Sequence, residues 1–295
     1  MVRRLAYIVC LLLLCNILTA GNKYALTVFI SDYPQESGWN TINSSNDKSL
    51  ILPLLKEMGF TESGIICLED KEATHSNILA SFDKLAQKVS KGDEVYIHFS
   101  CHGQQISDVD GDEAMVNSKD KYDEALVPYD AYISYDWNGY KGDRHLLDDT
   151  INEWLSFLSN AVGKEGIVLF VADACHSGDL KRTKGVENNP EFRGTFDTFR
   201  LPLPVVKTNR SSYDLNWVSL SACKEFQTNY ECMADGVKYG RLSYAISQCI
   251  KKDMTVTELV AALEDKYAQI PLPKGKAQTL SVECPKNILQ KTLFR

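Results

Sequence analysis

Along the 295 residues, short runs of nearly continuous hydrophobicity alternate with longer helix-like segments. The runs Ala25 to Ile30, Ile65 to Leu68, Glu94 to Ser100, Ile167 to Ala172 and Trp217 to Leu220 are rich in Val, Ile and Phe. Short apolar runs with so little polar alternation predict strands buried on both faces. Between them, Asp47 to Met58 closed by Gly59, His75 to Ser90 behind a Thr74 cap, and Leu147 to Asn160 predict helices. Two further helical stretches, Leu242 to Lys251 and Val256 to Gln269, follow the fifth strand, and an extended tail with Pro271, Pro273 and Pro285 ends the chain. This alternation predicts an α/β fold, a mostly parallel sheet covered by helices on both faces. No internal repeat or second composition regime appears, so one domain over 22–295 is the simplest division.

Two insertions interrupt the pattern. Gln104 to Asp143, rich in Asp, Gly and Tyr, follows the third strand, and Asp179 to Asp214 follows the fourth as a flexible linker carrying scattered Lys and Arg. Loops of this length in a domain are functional or disordered. In an open parallel sheet, ligands bind beyond the carboxyl ends of the strands. Both insertions leave from that edge.

The first twenty-one residues change the picture of where the protein works. Arg3 and Arg4 precede an apolar run from Leu5 to Leu18, followed by Thr19, Ala20 and Gly21. The pattern predicts a cleaved secretory signal and an exported protein, secreted or periplasmic. The run is shorter than the roughly 20 residues of a spanning helix, so no membrane contact is expected after cleavage. Loss of the signal takes the formal charge from −7 to −9, which argues against nucleic acid as a partner. Cys10 and Cys15 leave with it. The remaining Cys67, Cys101, Cys175, Cys223, Cys232, Cys249 and Cys284 are odd in number, so at least one thiol stays free in an oxidising compartment. Cys223 and Cys232 are close enough in sequence for a small disulfide loop, although spacing alone establishes no pairing. No CxxC pair suggests a structural zinc site.

The chemistry collects at two strand ends. The third predicted strand runs into "IHFSCHGQQ", with His102 beside Gly103, and the fourth into "FVADACHSGD", with Cys175 among small residues. Adjacent parallel strands lie about 4.8 Å apart, so residues just past their ends face one another across a shallow cleft. His102 can therefore serve Cys175 as base, raising the thiolate population or taking the thiol proton. Ala174, Ser177 and Gly178 leave room for backbone N–H groups to approach an oxyanion. His176 is the rival base, but successive side chains of an extended segment point in opposite directions. A lone Cys or His at a strand end is more often structural. The pair, at equivalent ends of successive strands, favours chemistry.

"FSCHGQQ" and "DACHSG" resemble the histidine and cysteine motifs of caspase-like peptidases, with metacaspases and related bacterial enzymes the nearest group. "GDE", "YDEALVPYD" and "LLDDTI" between the two motifs, and "VSLSAC" after the linker, are similar to metacaspase sequence in the same order. The resemblance covers about Lys23 to Glu283. It implies a caspase-like three-layer fold and a cysteine endopeptidase with Cys175 as nucleophile, His102 as proton carrier, and backbone N–H groups of Gly103 and Cys175 as the oxyanion site. Cys101 departs from the pattern, standing where the family usually has Gly.

Asp173 lies two residues before Cys175 and projects to the same side of an extended segment. It either caps a turn or selects a cationic side chain by a charge-assisted contact. Metacaspases cleave after Arg or Lys, and the resemblance implies a pocket that adds Asp47 and Ser44 from "INSSNDKS" and Ser100 from the histidine strand. Asp47 also suits the first turn of a helix. "DVDGDE" fails as an EF-hand, because Gly111 and Lys119 stand at the wrong places. The calcium ligands of metacaspases map instead to Asp123, Asp148 and Asp149, with Arg182 at the fourth position and Asp179 nearby. Calcium is thus a possible activator, while the chemistry itself requires no cofactor. The linker carries Lys181, Arg182, Lys184, Arg193, Arg200, Lys207 and Arg210, so an enzyme cutting after basic residues is expected to process itself there. The function expected is a monomeric cysteine endopeptidase acting on peptides or proteins after Arg or Lys. A catalytically silent caspase-like binding domain and a Cys/His hydrolase of non-peptide substrates are the alternatives.

Overall fold

Strand side chains alternate between faces, and the buried runs fill a separate core with each face. In a computed structural model describing residues 21–108, 122–175, 192–202, 216–224 and 227–295, the elements begin with β1 (Lys23–Phe29), α1 (Ser44–Glu57), β2 (Ile65–Glu69), α2 (His75–Lys88) and β3 (Glu94–Ser100). They continue with β4 (Gly103–Ser107), β5 (Tyr122–Leu126), β6 (Leu146–Leu147), α3 (Asp148–Val162) and β7 (Ile167–Asp173). The last are β8 (Val218–Ser221), β9 (Glu231–Ala234), β10 (Val237–Gly240), α4 (Arg241–Cys249), α5 (Val256–Gln269) and β11 (Ser281–Glu283).

Six strands form the main sheet in the order β11-β8-β7-β3-β1-β2. All pairs are parallel except β11 with β8. Ala25, Phe29, Tyr96, Leu169 and Val171 enter one core with α1, α4 and α5. Leu26, Val28, Ile97, Phe99, Val168 and Phe170 enter the other with α2 and α3. The result is the expected three-layer α/β sandwich. The two central strands, β3 and β7, are buried at every position, which is why they read as unbroken apolar runs.

The helix signals hold in detail. Thr74 accepts from Asn77 N–H at 3.3 Å, and Thr255 forms a capping box with Glu258 at the start of α5. Gly59, just after α1, has φ 91°, a region open to glycine at little cost. Two elements are more structured than the pattern predicts. The insertion after β3 holds β4 and β5 of a three-stranded antiparallel sheet with β6, and the tail contributes β11 to the main sheet.

β9 and β10 form a hairpin whose turn residues Asp235 and Gly236 have φ 50° and 80°. Positive φ at both central residues suits a tight Asp-Gly turn, and the hairpin carries Glu231 and Gly240 to the carboxyl edge. No helix among the described residues is long and apolar enough to cross a membrane. The expected signal, essentially all within residues 1–20, lies outside the described residues.

Candidate active site

β3 and β7 pair in parallel with Ser100 opposite Asp173. Cys101-His102 and Ala174-Cys175 thus leave the sheet at matching register. The His102 ring stacks on Trp39, centroids 4.9 Å apart, and lies 5.2 Å from Tyr33. The Tyr33 hydroxyl accepts from His102 N–H at 3.1 Å. His102 Nε2 lies 2.7 Å from Asn40 O. A carbonyl only accepts, so the hydrogen-bond network assigns the proton to Nε2 and leaves Nδ1 basic. Nδ1 is buried with no hydrogen-bond partner among the described residues. Burial lowers the imidazole pKa from 6.5 to about 4, so the ring is neutral across the physiological range. By linkage, protonation is easier in the unfolded chain, and His102 costs stability as pH falls through 6.5 towards 4.

Cys175 is fully buried. Its Sγ donates to Gln227 O at 3.4 Å, and since His102 Nδ1 has no partner, thiol and imidazole are not hydrogen-bonded in this state. Cys175 N–H donates to Arg193 O at 2.9 Å. The rival base His176, with Ser177 and Gly178, lies outside the described residues. Cys101 is buried in the apolar core, and burial pushes its thiol up to about 12, which keeps it protonated.

Asp47, Asp173 and Glu231 converge on a cation supplied by the linker. Arg193 is completely buried. Its Nη1 donates to Asp47 Oδ2 and Ser100 Oγ, each at 2.7 Å, and lies 3.8 Å from Asp173 Oδ1. Ser100 Oγ donates to Asp47 Oδ2 at 2.7 Å. Arg193 Nε and Nη2 donate to Glu231 Oε1 at 3.2 and 3.1 Å. The charge balance decides how such a group survives burial. Burial disfavours the guanidinium, but Asp47, Asp173 and Glu231 together raise the Arg193 pKa. Burial pushes Asp47 up to about 6 against the pull of Arg193, with Asp173 adding to the rise. Burial would raise Asp173 as well, but Arg193, Asn229 and Ser243 hold it below the usual carboxylate range.

Asp173 is more an anchor than its position in the sequence suggests. Oδ1 accepts from Asn229 Nδ2, and Oδ2 accepts from both N–H and Oγ of Ser243, all at 2.7 Å. Because Ser243 Oγ donates to Asp173, it must accept from His98 Nε2 at 3.1 Å, and His98 Nδ1 accepts from Tyr96 Oη at 2.8 Å. A buried donor chain from Tyr96 through His98 and Ser243 therefore ends on the pocket acid. Ser44, expected in the pocket, is buried on the first turn of α1 without a hydrogen-bond partner among the described residues and does not bond Arg193.

The rest of the described linker continues through the cleft by isolated backbone bridges. Arg193 N–H donates to Asn229 O at 3.0 Å, and Phe192 bridges Tyr230. Beyond Arg193, Gly194 bridges Gly103, and Phe199 exchanges hydrogen bonds with Gln105 O at 2.7 Å and Ser107 N at 2.9 Å. Gln104 Nε2 donates to Asp197 O at 2.8 Å. A Cβ on Gly194 would stand 2.6 Å from Cys175 O and 3.0 Å from Cys175 Cβ. Only glycine fits there.

The predicted acid set for calcium is less coherent. Asp123 is buried on β5, and Asp148 and Asp149 open α3. No group of three His, Cys, Asp or Glu side chains placed to hold a metal occurs among the described residues. Asp179 and Arg182 lie outside them.

The caspase domain family matches residues 22–287. Metacaspase-1 of Schizosaccharomyces pombe is 24% identical over 79% of this chain and 64% of its own length. Metacaspase-1 of Eremothecium gossypii is 26% identical, covering 85% of this chain and 63% of its own. The chain thus spans somewhat less than two thirds of the length of these relatives. Among solved structures, protein GSU0716 from Geobacter sulfurreducens matches with a TM-score of 0.61 at 18% identity, over 92% of this chain and 98% of that one. Caspase-1 from Spodoptera frugiperda matches with a TM-score of 0.58 at 10% identity, over 93% and 90%. At such identities the structural likeness speaks for the fold alone.

Proposed function

The chain belongs to the caspase-domain family of peptidases, and from that premise we propose that it is a cysteine endopeptidase that cuts after Arg in preference to Lys. The observation that carries this reading is Arg193, which stands in for the substrate residue before the scissile bond: its guanidinium lies among Asp47, Ser100, Asp173 and Glu231, and its carbonyl rests on Cys175 N–H. Cys175 sulfur attacks that carbonyl carbon, and His102 Nδ1 takes the thiol proton. The developing oxyanion is held by Cys175 N–H, with Gly103 N–H as the second donor. The C–N bond breaks as His102 returns the proton to the leaving amine, and water then hydrolyses the thioester by the same route in reverse. In the intact chain the described linker segment around Arg193 occupies the cleft, and cutting between Arg193 and Gly194 releases it.

Lys would reach Asp47 and Ser100 but has no counterpart of Nε and Nη2, the two nitrogens bonded to Glu231. Peptides ending in Arg, Lys or Asp, assayed under reducing conditions with calcium and with chelator, are expected to be cut in the order Arg, then Lys, with Asp untouched. Glu231→Gln should lower the Arg-to-Lys ratio of kcat/KM by about tenfold, chiefly through slower Arg cleavage, as expected for a lost charge-assisted contact. An unchanged ratio removes Glu231 from the specificity pocket. Absence of turnover on all three peptides would instead favour a silent binding domain.

The acid limb of the Arg reaction is expected near pH 6, where Asp47 takes up a proton and stops pairing with the guanidinium. His102, with a pKa of about 4, would set a lower limb. A pH profile of kcat, which reports the complex with arginine in the pocket, separates them. A limb near 4 would assign control to the base.

A further inference from the structure

The catalytic thiol has a second thiol for a neighbour. β7 and β8 are parallel, with Ala172 opposite Ser221, and the chain beyond them brings Cys175 and Cys223 into one small buried apolar group with Phe192, against which Phe196 packs. Both sulfurs lie within hydrogen-bond distance of the same acceptor, Gln227 O, Cys175 Sγ at 3.4 Å and Cys223 Sγ at 3.2 Å. Neither is engaged in a disulfide. Among the described residues, Cys223 has no hydrogen bond or ion pair to Arg193 or His102. Its hydrogen bond to Cys175, followed by burial, raises its pKa well above the ordinary value, so it stays protonated while Cys175 is the sulfur to react first.

We propose that Cys175 and Cys223 form a reversible disulfide, with a peroxide as oxidant, and that this link switches the nucleophile off. The Cys175 thiolate attacks one peroxide oxygen: an S–O bond forms, the O–O bond breaks, and hydroxide leaves to become water, giving a sulfenic acid. Cys223 sulfur then attacks Cys175 sulfur. The S–S bond forms, the S–O bond breaks, and the second water leaves with the Cys223 proton. Two thiols lose two electrons and hydrogen peroxide gains them. A dithiol reductant reverses the link by exchange. The pairing also protects the enzyme, since a sulfenic acid trapped as a disulfide does not proceed to the irreversible sulfinic acid.

The peptidase consequence rests on the function proposed above, whereas the link itself does not. Purified protein treated with hydrogen peroxide and digested without reductant should yield one peptide pair joined through Cys175 and Cys223. Arginine-peptide activity should fall with the link and return fully with dithiothreitol. Where the linker has been cut at Arg193, the two fragments should run as one band without reductant and as two with it. Cys223→Ser should lose activity to peroxide without recovery. A link from Cys175 to any other cysteine, or Cys223→Ser recovering as fully as the parent, overturns the proposal. The linked peptides are read by mass alone, so an inactive preparation that still yields them contradicts the peptidase reading and leaves the disulfide standing.

Discussion

Cys175→Ala is expected to lose turnover of an arginine peptide by at least about a thousandfold, the scale on which a covalent nucleophile contributes, and to remain a single chain on storage. The parent protein should accumulate a fragment whose first residue is Gly194. The substitution removes Sγ with its hydrogen bonds to Gln227 O and Cys223 and adds no bulk, so the thermal midpoint of the variant stays close to that of the parent. This separates lost chemistry from a lost fold. N-terminal sequencing of the fragment decides the site: a start at any other position unseats Arg193 as the residue before the scissile bond. Splitting of Cys175→Ala at the same rate as the parent would mean that another peptidase makes the cut.

The hydrophobic pattern made the architecture legible because β3 and β7 are buried along their whole length and α2 and α5 start on threonine caps. Motif resemblance singled out Asp47, Ser100 and Asp173, and the fold brings the three together on one cation. What stayed hidden depends on long-range contact or on backbone atoms. The acceptor that fixes the His102 tautomer is the carbonyl of Asn40, and a carbonyl leaves no trace in residue identity. Glu231 reaches Arg193 only because the hairpin after the linker folds back. Cys223 invited pairing with nearby Cys232, whereas the fold sets its sulfur beside Cys175. Arg193 looked like any basic residue of a linker, because the acids that bury it are 146 and 38 positions away. Ser44 fits the motif, yet its hydroxyl makes no hydrogen bond to the guanidinium.

Arg193→Ala should be the most destabilising single change in the site, and its cost should depend on pH. It removes the cation around which Asp47, Asp173 and Glu231 are buried, and breaking a buried ion pair from one side costs about 3–5 kcal/mol. A drop in the thermal midpoint on the order of 10 °C follows for a chain of this size. Measured in a Cys175→Ala background, both proteins stay uncut and the comparison is of folding alone. Asp47, already raised to about 6 with Arg193 present, must rise further once that charge is gone. A carboxyl whose folded pKa is raised binds its proton more tightly in the folded state, so its contribution is present at low pH and lost as pH rises through the folded value. Asp173, which Arg193 holds down, contributes to the deficit at both pH values, so the deficit of Arg193→Ala should be smaller at pH 5 than at pH 8. Arg193→Lys keeps one cation within reach of Asp47 and Ser100 and should recover part of the loss at pH 8 while leaving Glu231 without its two donors. A deficit that is equal at both pH values, and equally deep for Lys and Ala, would mean that Arg193 holds the cleft together by packing and not by charge.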